Sequence, residues 1–87
     1  IDDAFPLRLF PNPASASFFL SGYLSQEVDA VILVLDVAGR EVYRSGQNGL
    51  NAHFVIETGI SSLPSGHYIV RMETSIGNVS KELIINR

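Results

Sequence analysis

Short apolar segments separated by turn residues occupy the whole chain. The segments are about five to nine residues long and rich in Val, Ile, Leu, Phe and Tyr, which is typical of strands, and the intervals between them carry Gly, Pro, Ser and Asn. No stretch of about ten residues keeps an i, i+3, i+4 apolar pattern without Gly or Pro, so we expect no substantial helix. About seven strands are predicted, at residues 7–10, 17–21, 30–36, 41–45, 52–57, 67–74 and 78–85.

Alternation within these segments separates a core face from a solvent face. Neighbouring side chains of a strand point to opposite faces, so one parity of each segment is expected to line the core. Strands of this length favour an all-β, immunoglobulin-like β-sandwich of about seven antiparallel strands, although the Cys pair around a Trp that marks antibody domains is absent. The side chains predicted to face the core include Phe18, Leu20, Phe54, Ile56, Thr58, Ile60, Tyr68, Val70 and Met72.

The third segment departs from simple alternation. Residues 31–35, VILVL, are apolar on both parities, so both faces of this strand need shielding. Two interpretations stay open: a central strand whose outer face is covered by a loop, or a docking surface for another protein.

Length and charge limit the function classes. The chain has 87 residues, which fits one small domain, and its six basic residues are scattered through a chain of net charge −3. Nucleic acid is therefore not an expected partner. The absence of cysteine excludes disulfides and thiolate chemistry. The longest apolar run, AVILVL, is far shorter than the roughly 20 residues of a membrane helix, so no transmembrane segment is predicted.

The start of the chain indicates a piece of a longer protein. It begins at Ile1, with no initiator Met and no signal peptide. We expect residues 1–6 to be the end of a linker and residues 7–87 to form the domain.

Candidate catalytic groups are few. His53 and His67 are the only histidines, Asp2 and Asp3 lie in the predicted linker, and the serines around Pro64 lack a G-x-S-x-G motif. Catalysis and metal binding both need converging groups, so we predict no enzyme, no metal site and no cofactor. A carbohydrate platform is a competing possibility, because Phe19 and Tyr23 share the outward parity of the second segment.

Three turn motifs punctuate the strands. In LFPNP, residues 9–13, the prolines hold Phe10 and Asn12 extended, and the Asn12 side chain can bond nearby backbone. In D-x-x-G-R at 36–40 the aspartate can cap a hairpin turn whose glycine takes positive φ, and in L-P-S-G-x-Y at 63–68 the tyrosine enters the core.

Taken in this order, and with the closing S-K-E-L-I-I at 80–85, these stretches resemble one family. It is the C-terminal sorting domain, type A, of the type IX secretion system, also called the Por secretion system, of certain Gram-negative bacteria. The resemblance covers residues 9–87. The motif residues are Pro11, Asn12, Pro13, Asp36, Gly39, Arg40, Leu63, Pro64, Gly66 and Tyr68.

The resemblance implies an address label for protein secretion. Such a domain follows an upstream cargo domain in one precursor, passes transiently through the periplasm, and is recognised by the outer-membrane translocon and its shuttle protein. A cell-surface sortase then removes it, so that the cargo is secreted or held at the outer membrane surface. The linker at residues 1–6 would lie near the cleavage boundary.

Recognition is expected to use the final strand. We hypothesise that residues 79–87, with the turns at 36–40 and 66–68 beside them, form the contact surface. A last strand at a sheet edge, with free N–H and C=O groups, can add to a partner's sheet. A dimer by strand exchange is a further possibility. The alternative function is an immunoglobulin-like carbohydrate- or protein-binding module, or a spacer, retained on the mature product. The residues expected to contact the translocon are Lys81, Glu82, Leu83, Ile84, Ile85 and Arg87.

Overall fold

The computed structural model describes residues 5–86. The described chain is all-β and antiparallel, as predicted, with five strands. They are β1 (Leu7–Phe10), β2 (Ser17–Asp36), β3 (Glu41–Gly59), β4 (Gly66–Thr74) and β5 (Gly77–Ile85).

The predicted count of seven strands is wrong, because two pairs of predicted strands are continuous. The second and third segments join in the 20-residue β2, and the fourth and fifth join in the 19-residue β3. The residues between them, which indicate turns in the sequence, instead lie within the two strands, where only some of them have register partners across the β2–β3 hairpin. The pairing is irregular there, with register shifts between Leu24 and Val28 and between Val28 and Ala30.

The long hairpin carries both layers of the fold. β3 follows one edge of β2 throughout, whereas the other edge pairs with β1 along residues 19–22 and with β4 along residues 30–36. The sheet bends at the irregular pairing, since strong twist and bending accompany bulges. The two halves thus face one another as a β-sandwich around one apolar core drawn from all five strands.

The predicted core face is confirmed at each of its positions. Each of the side chains that the sequence predicts to face the core is nine-tenths or more buried, including the hydroxyl-bearing Thr58. The core also takes in Phe5, which the sequence places in the linker. The buried set from the prediction comprises Phe18, Leu20, Phe54, Ile56, Thr58, Ile60, Tyr68, Val70 and Met72.

The outer face of the third segment is shielded by its neighbours in the sheet. Leu33 is only 5% exposed, and its register partners are Arg44 on β3 and Arg71 on β4. The alkyl stems of arginines at such positions cover apolar surface while the guanidinium groups reach water. Arg44 and Arg71 are held by Glu41 at 2.9 Å and by Glu73 at 3.7 Å. The shielding therefore comes from paired side chains on adjacent strands.

Gly22 marks the closest approach of chain segments in the β1 half of the sheet. It lies between Leu7 of β1 and Phe54 of β3. A Cβ atom at this position would stand 2.6 Å from the Pro6 carbonyl oxygen and 2.9 Å from Cζ of Phe54. Only a residue without a side chain lets the backbone and the Phe54 ring approach this closely.

We expect Gly22→Ala to lower the free energy of unfolding by about 1–3 kcal/mol, because the methyl group forces the Phe54 ring and the backbone apart. Chemical denaturation measures the change. Gly46→Ala, on β3, is the matched control, since no atom lies within 4 Å of its added Cβ, and should change stability little. Equal effects of the two substitutions would contradict the steric explanation.

Candidate functional site: the covered edge of the last strand

The P-N-P segment lies against the last strand. The Asn12 side chain donates from Nδ2 to the Glu82 carbonyl oxygen at 2.9 Å and accepts at Oδ1 from the Ile84 N–H at 3.0 Å. An amide side chain has one donor and one acceptor side, so it can replace a neighbouring strand's peptide group. The Asn12 side chain therefore takes the place that the backbone of a further strand would occupy at the outer edge of β5.

Ala14 extends this cover by backbone bonds. Its N–H donates to the Ile84 carbonyl at 2.8 Å, and its carbonyl accepts from the Asn86 N–H at 2.9 Å. Ala14 is 1% exposed and forms a parallel bridge with Ile85. The segment between β1 and β2 thus closes the outer edge of β5 from Glu82 to Asn86.

The turn at residues 36–40 is organised by Asp36. Its Oδ1 accepts hydrogen bonds from the N–H groups of Ala38 and Arg40, each at 2.9 Å, and its Oδ2 lies 3.0 Å from Nε of Arg40. The Arg40 N–H bond, followed by the Arg40 side chain and the Ala38 N–H, lowers the pKa of Asp36. Gly39 has φ of 86°, as predicted for this turn.

The L-P-S-G-x-Y turn is closed by its tyrosine. The Tyr68 hydroxyl donates to the Pro64 carbonyl at 2.6 Å, so the buried ring keeps its polar atom bonded. Leu63 donates its N–H to the Ile60 carbonyl at 3.0 Å. Gly66 begins β4 in register with Ile85, the last residue of β5.

The motifs converge at one end of the β4–β5 half of the sheet. Asp36 is in register with Tyr68, and Tyr68 is in register with Leu83. Asn12 follows on the far side of β5. Segments separated by up to 72 positions along the chain therefore lie side by side at this end of the sheet.

The predicted recognition residues alternate between the two faces of β5. Leu83 and Ile85 are buried in the core, Ile84 is half-buried, and Glu82 is exposed. Glu82 Oε2 lies 3.9 Å from Nδ1 of His67. Arg87, the remaining residue of that prediction, lies outside the described residues.

Lys81 occupies an inward-facing position. It lies between Val79 and Leu83 on the parity that faces the core, and it is half-buried. A lysine there keeps its stem along apolar surface and its ammonium group at the rim. An inward-pointing charge on an edge strand also discourages further strand pairing. The alternation V-S-K-E-L in the sequence already indicates that Lys81 shares the face of Val79 and Leu83.

The edge of β5 is less open than expected. β5 ends the strand order, which confirms its edge position. The expectation that its outer N–H and C=O groups are free is wrong along residues 82–86, because Asn12 and Ala14 bond them. In the described part of the chain, no strand covers the outer edge at residues 78–80.

The other candidate groups do not converge. His53 and His67 are exposed on different strands, and in residues 5–86 no three His, Asp or Glu side chains are placed to hold a metal ion. Asp2 and Asp3 lie outside the described residues. No helix in residues 5–86 is long and apolar enough to cross a membrane.

The two aromatic residues weighed as a sugar platform contact side chains of this chain. Phe19 stacks on Phe10 with ring centroids 5.6 Å apart, and Tyr23 meets His53 edge-on at 5.0 Å. These contacts place the four rings in two separate pairs on the outer face of the β1 half.

We expect Asn12→Ala to lower the free energy of unfolding by about 1–2 kcal/mol, because it removes two hydrogen bonds to β5. Asn12→Asp is the matched control, since it keeps the acceptor for the Ile84 N–H but loses the donor to Glu82. Denaturant titration should rank the asparagine protein first, the aspartate variant second at neutral pH and the alanine variant last. Equal stability of all three would contradict the bonding role.

The Asp36 turn predicts a pH dependence. Because the folded-state pKa is lowered, the stabilisation is complete above the unfolded value of about 4 and is lost as the pH falls through the folded pKa. The difference in melting temperature between the protein and Asp36→Asn should therefore be constant from pH 7 to about pH 5 and shrink at lower pH. A difference that does not change with pH would contradict this role for the carboxylate.

Comparison with known proteins places these motifs in one family. The family model for the secretion system C-terminal sorting domain matches residues 8–86. No curated protein matches the chain. The matched span begins in β1 and takes in all three turns and the whole of β5. The chain therefore belongs to the family of C-terminal sorting domains of the type IX secretion system.

Proposed function

We propose that this sorting domain acts without catalysis, as a folded shape read by the type IX translocon and its shuttle protein. The convergence of the three turn motifs on β5 is the observation that supports this proposal. Residues that form turns and pair in neighbouring strands create a surface of defined shape. Catalysis, in contrast, needs converging titratable groups. The family is one of sorting signals, not of enzymes.

The proposed contact surface is the outer side of β5 with the two turns beside it. It comprises residues 79–87, the 36–40 turn and the start of β4, as the sequence hypothesis has it. The backbone at residues 78–80 is the part of the β5 edge that no described strand covers, so a partner strand would dock there first. Extending the pairing to residues 82–86 requires displacement of Asn12 and Ala14.

The proposed route follows from the family. The precursor crosses the periplasm, the domain is recognised at the outer membrane, and a sortase cuts near residues 1–6 to leave the cargo secreted or on the cell surface. Phe5 packs in the core, so a cut on its N-terminal side would leave the folded domain intact.

Mass spectrometry of the surface-exposed cargo tests removal. Peptides of this domain should be present in the precursor and absent from the mature cargo. Their retention in the mature cargo would favour the binding or spacer module instead, for which the paired aromatic rings offer no specific support.

Lys81 is the residue we expect to matter most for contact. In a reporter fused to this domain, Lys81→Met should reduce surface delivery about fivefold or more, because a lost charge pair of about 1 kcal/mol changes binding by that factor. Methionine keeps an apolar stem of similar length, so packing beside Val79 and Leu83 is preserved. Delivery is measured by protease accessibility of the reporter on whole cells.

Arg8→Met is the matched control, since Arg8 is an exposed cation on β1, in the other half of the sheet. It should leave delivery unchanged. Normal delivery by a folded Lys81→Met variant would remove Lys81 from the contact surface. If deletion of residues 81–87 also left delivery normal, the sorting role of β5 itself would be wrong.

A further inference from the structure

The outer edge of β3 is open along its second half. β3 pairs with β2 on one edge, and in the described part of the chain no other strand contacts it. From residue 53 to residue 59 its register with β2 is uninterrupted. This stretch is therefore a regular strand with one free side.

One backbone hydrogen bond at the end of β3 tells which of its residues bond to β2 and which direct their N–H and C=O groups outward. The Ile60 N–H donates to the Ala16 carbonyl at 2.9 Å, and bonded residues alternate along an antiparallel ladder. Even-numbered residues of this stretch therefore direct their N–H and C=O groups to β2. His53, Val55 and Glu57 direct theirs outward.

The same three residues share the outer face of the sheet. Val55 is 66% exposed, a large fraction for an apolar residue in a strand. His53 and Glu57 lie two positions to either side of it and are exposed. The edge-on contact with Tyr23, at 5.0 Å, holds the His53 ring at this face.

β5 and the earlier half of β3 carry features that discourage pairing. β5 is covered by Asn12 and Ala14 along residues 82–86 and has the inward-facing Lys81 next to its uncovered part. The earlier half of β3 is interrupted, with positive φ at Gly49 and Ala52. Bulges and inward charges are the usual means by which sheet edges avoid partners. Residues 53–57 lack both.

We propose that residues 53–57 of β3 pair with the same residues of a second copy of this chain. In an antiparallel pair with Val55 on the two-fold axis, the two valines face each other and exchange both backbone hydrogen bonds. His53 then faces Glu57 of the second copy, and Glu57 faces its His53. Only in this register does each imidazole face a carboxylate, which can accept a hydrogen bond from a ring N–H, so the strand is complementary to itself and a second copy fits the edge.

The pairing makes one continuous sheet from the β1 halves of two molecules. It differs from strand exchange, because every strand keeps its own partners and no element leaves its chain. It is also independent of the sorting function, since β5 and the turns beside it lie in the other half of the sheet.

Sedimentation of the 87-residue chain over about 10 µM to 1 mM tests the proposal, since edge pairing without a large buried interface gives weak association. We expect a monomer–dimer equilibrium in this range. Val55→Lys should raise the dissociation constant at least about tenfold, because two ammonium groups then meet on the axis. Val42→Lys makes the same substitution at a less exposed valine in the other half of β3, 37% exposed against 66% for Val55. It should leave the dissociation constant within about twofold.

Charge exchange tests the register. His53→Glu places two carboxylates opposite one another twice in the dimer and should weaken it at least about tenfold. Adding Glu57→Lys to that variant places an ammonium group opposite each new carboxylate and should recover the original dissociation constant or better. All variants are checked for native melting behaviour by circular dichroism.

Three results would overturn the proposal. The first is a chain that stays monomeric at 1 mM, which would leave this edge to a different protein or to none. The second is a dimer weakened as much by Val42→Lys as by Val55→Lys. The third is a double variant that fails to recover association, which would exclude the register centred on Val55.

Discussion

A strand at the edge of a sheet must satisfy or expose its outward N–H and C=O groups, and this constraint shapes the molecule. At β5 these groups are satisfied by hydrogen bonds from one connecting segment: the side chain of Asn12 and the backbone of Ala14 bond to the edge from Glu82 to Asn86. At β3 the second half of the edge stays open. The two edges differ because a connecting segment passes one of them and none of the described strands passes the other.

The cover on β5 ties the start of the domain to its end. Asn12 precedes β2 and contacts β5, so the segment that enters the fold also completes its last sheet position. Asp36 and Tyr68 are paired in neighbouring strands at the same end of the sheet, so the family's motifs lie together on one surface of the sandwich. Their structural roles, capping a turn, closing a loop and covering an edge, are compatible with recognition, because a partner that reads shape depends on the groups that fix the shape.

Much of the fold was predictable because strand alternation is a local property. The inward parity of residues 18–20, 54–60 and 68–72 follows from side chains pointing to alternate faces, and the structure buries each predicted position. The number of strands was not predictable, because the polar stretches near residues 25–27 and 46–51 are compatible with either a turn or an irregular part of a continuous strand. The second is what forms, because regular pairing of β2 with β3 on both sides of these stretches, up to Leu24 and again from Ala30, keeps them within two continuous strands.

The sequence by itself determined the strand class, the core faces, the Asp36 turn and the family resemblance, since each depends on neighbours a few residues apart. Only the tertiary structure decided that Asn12 bonds Glu82 and Ile84, about 70 positions away, and that the last strand's edge is partly closed. It also decided that Leu33 is shielded by flanking arginines. Contacts of this kind depend on how distant strands are ordered and registered in the sheet, and a one-dimensional pattern of apolar and polar residues does not encode that order.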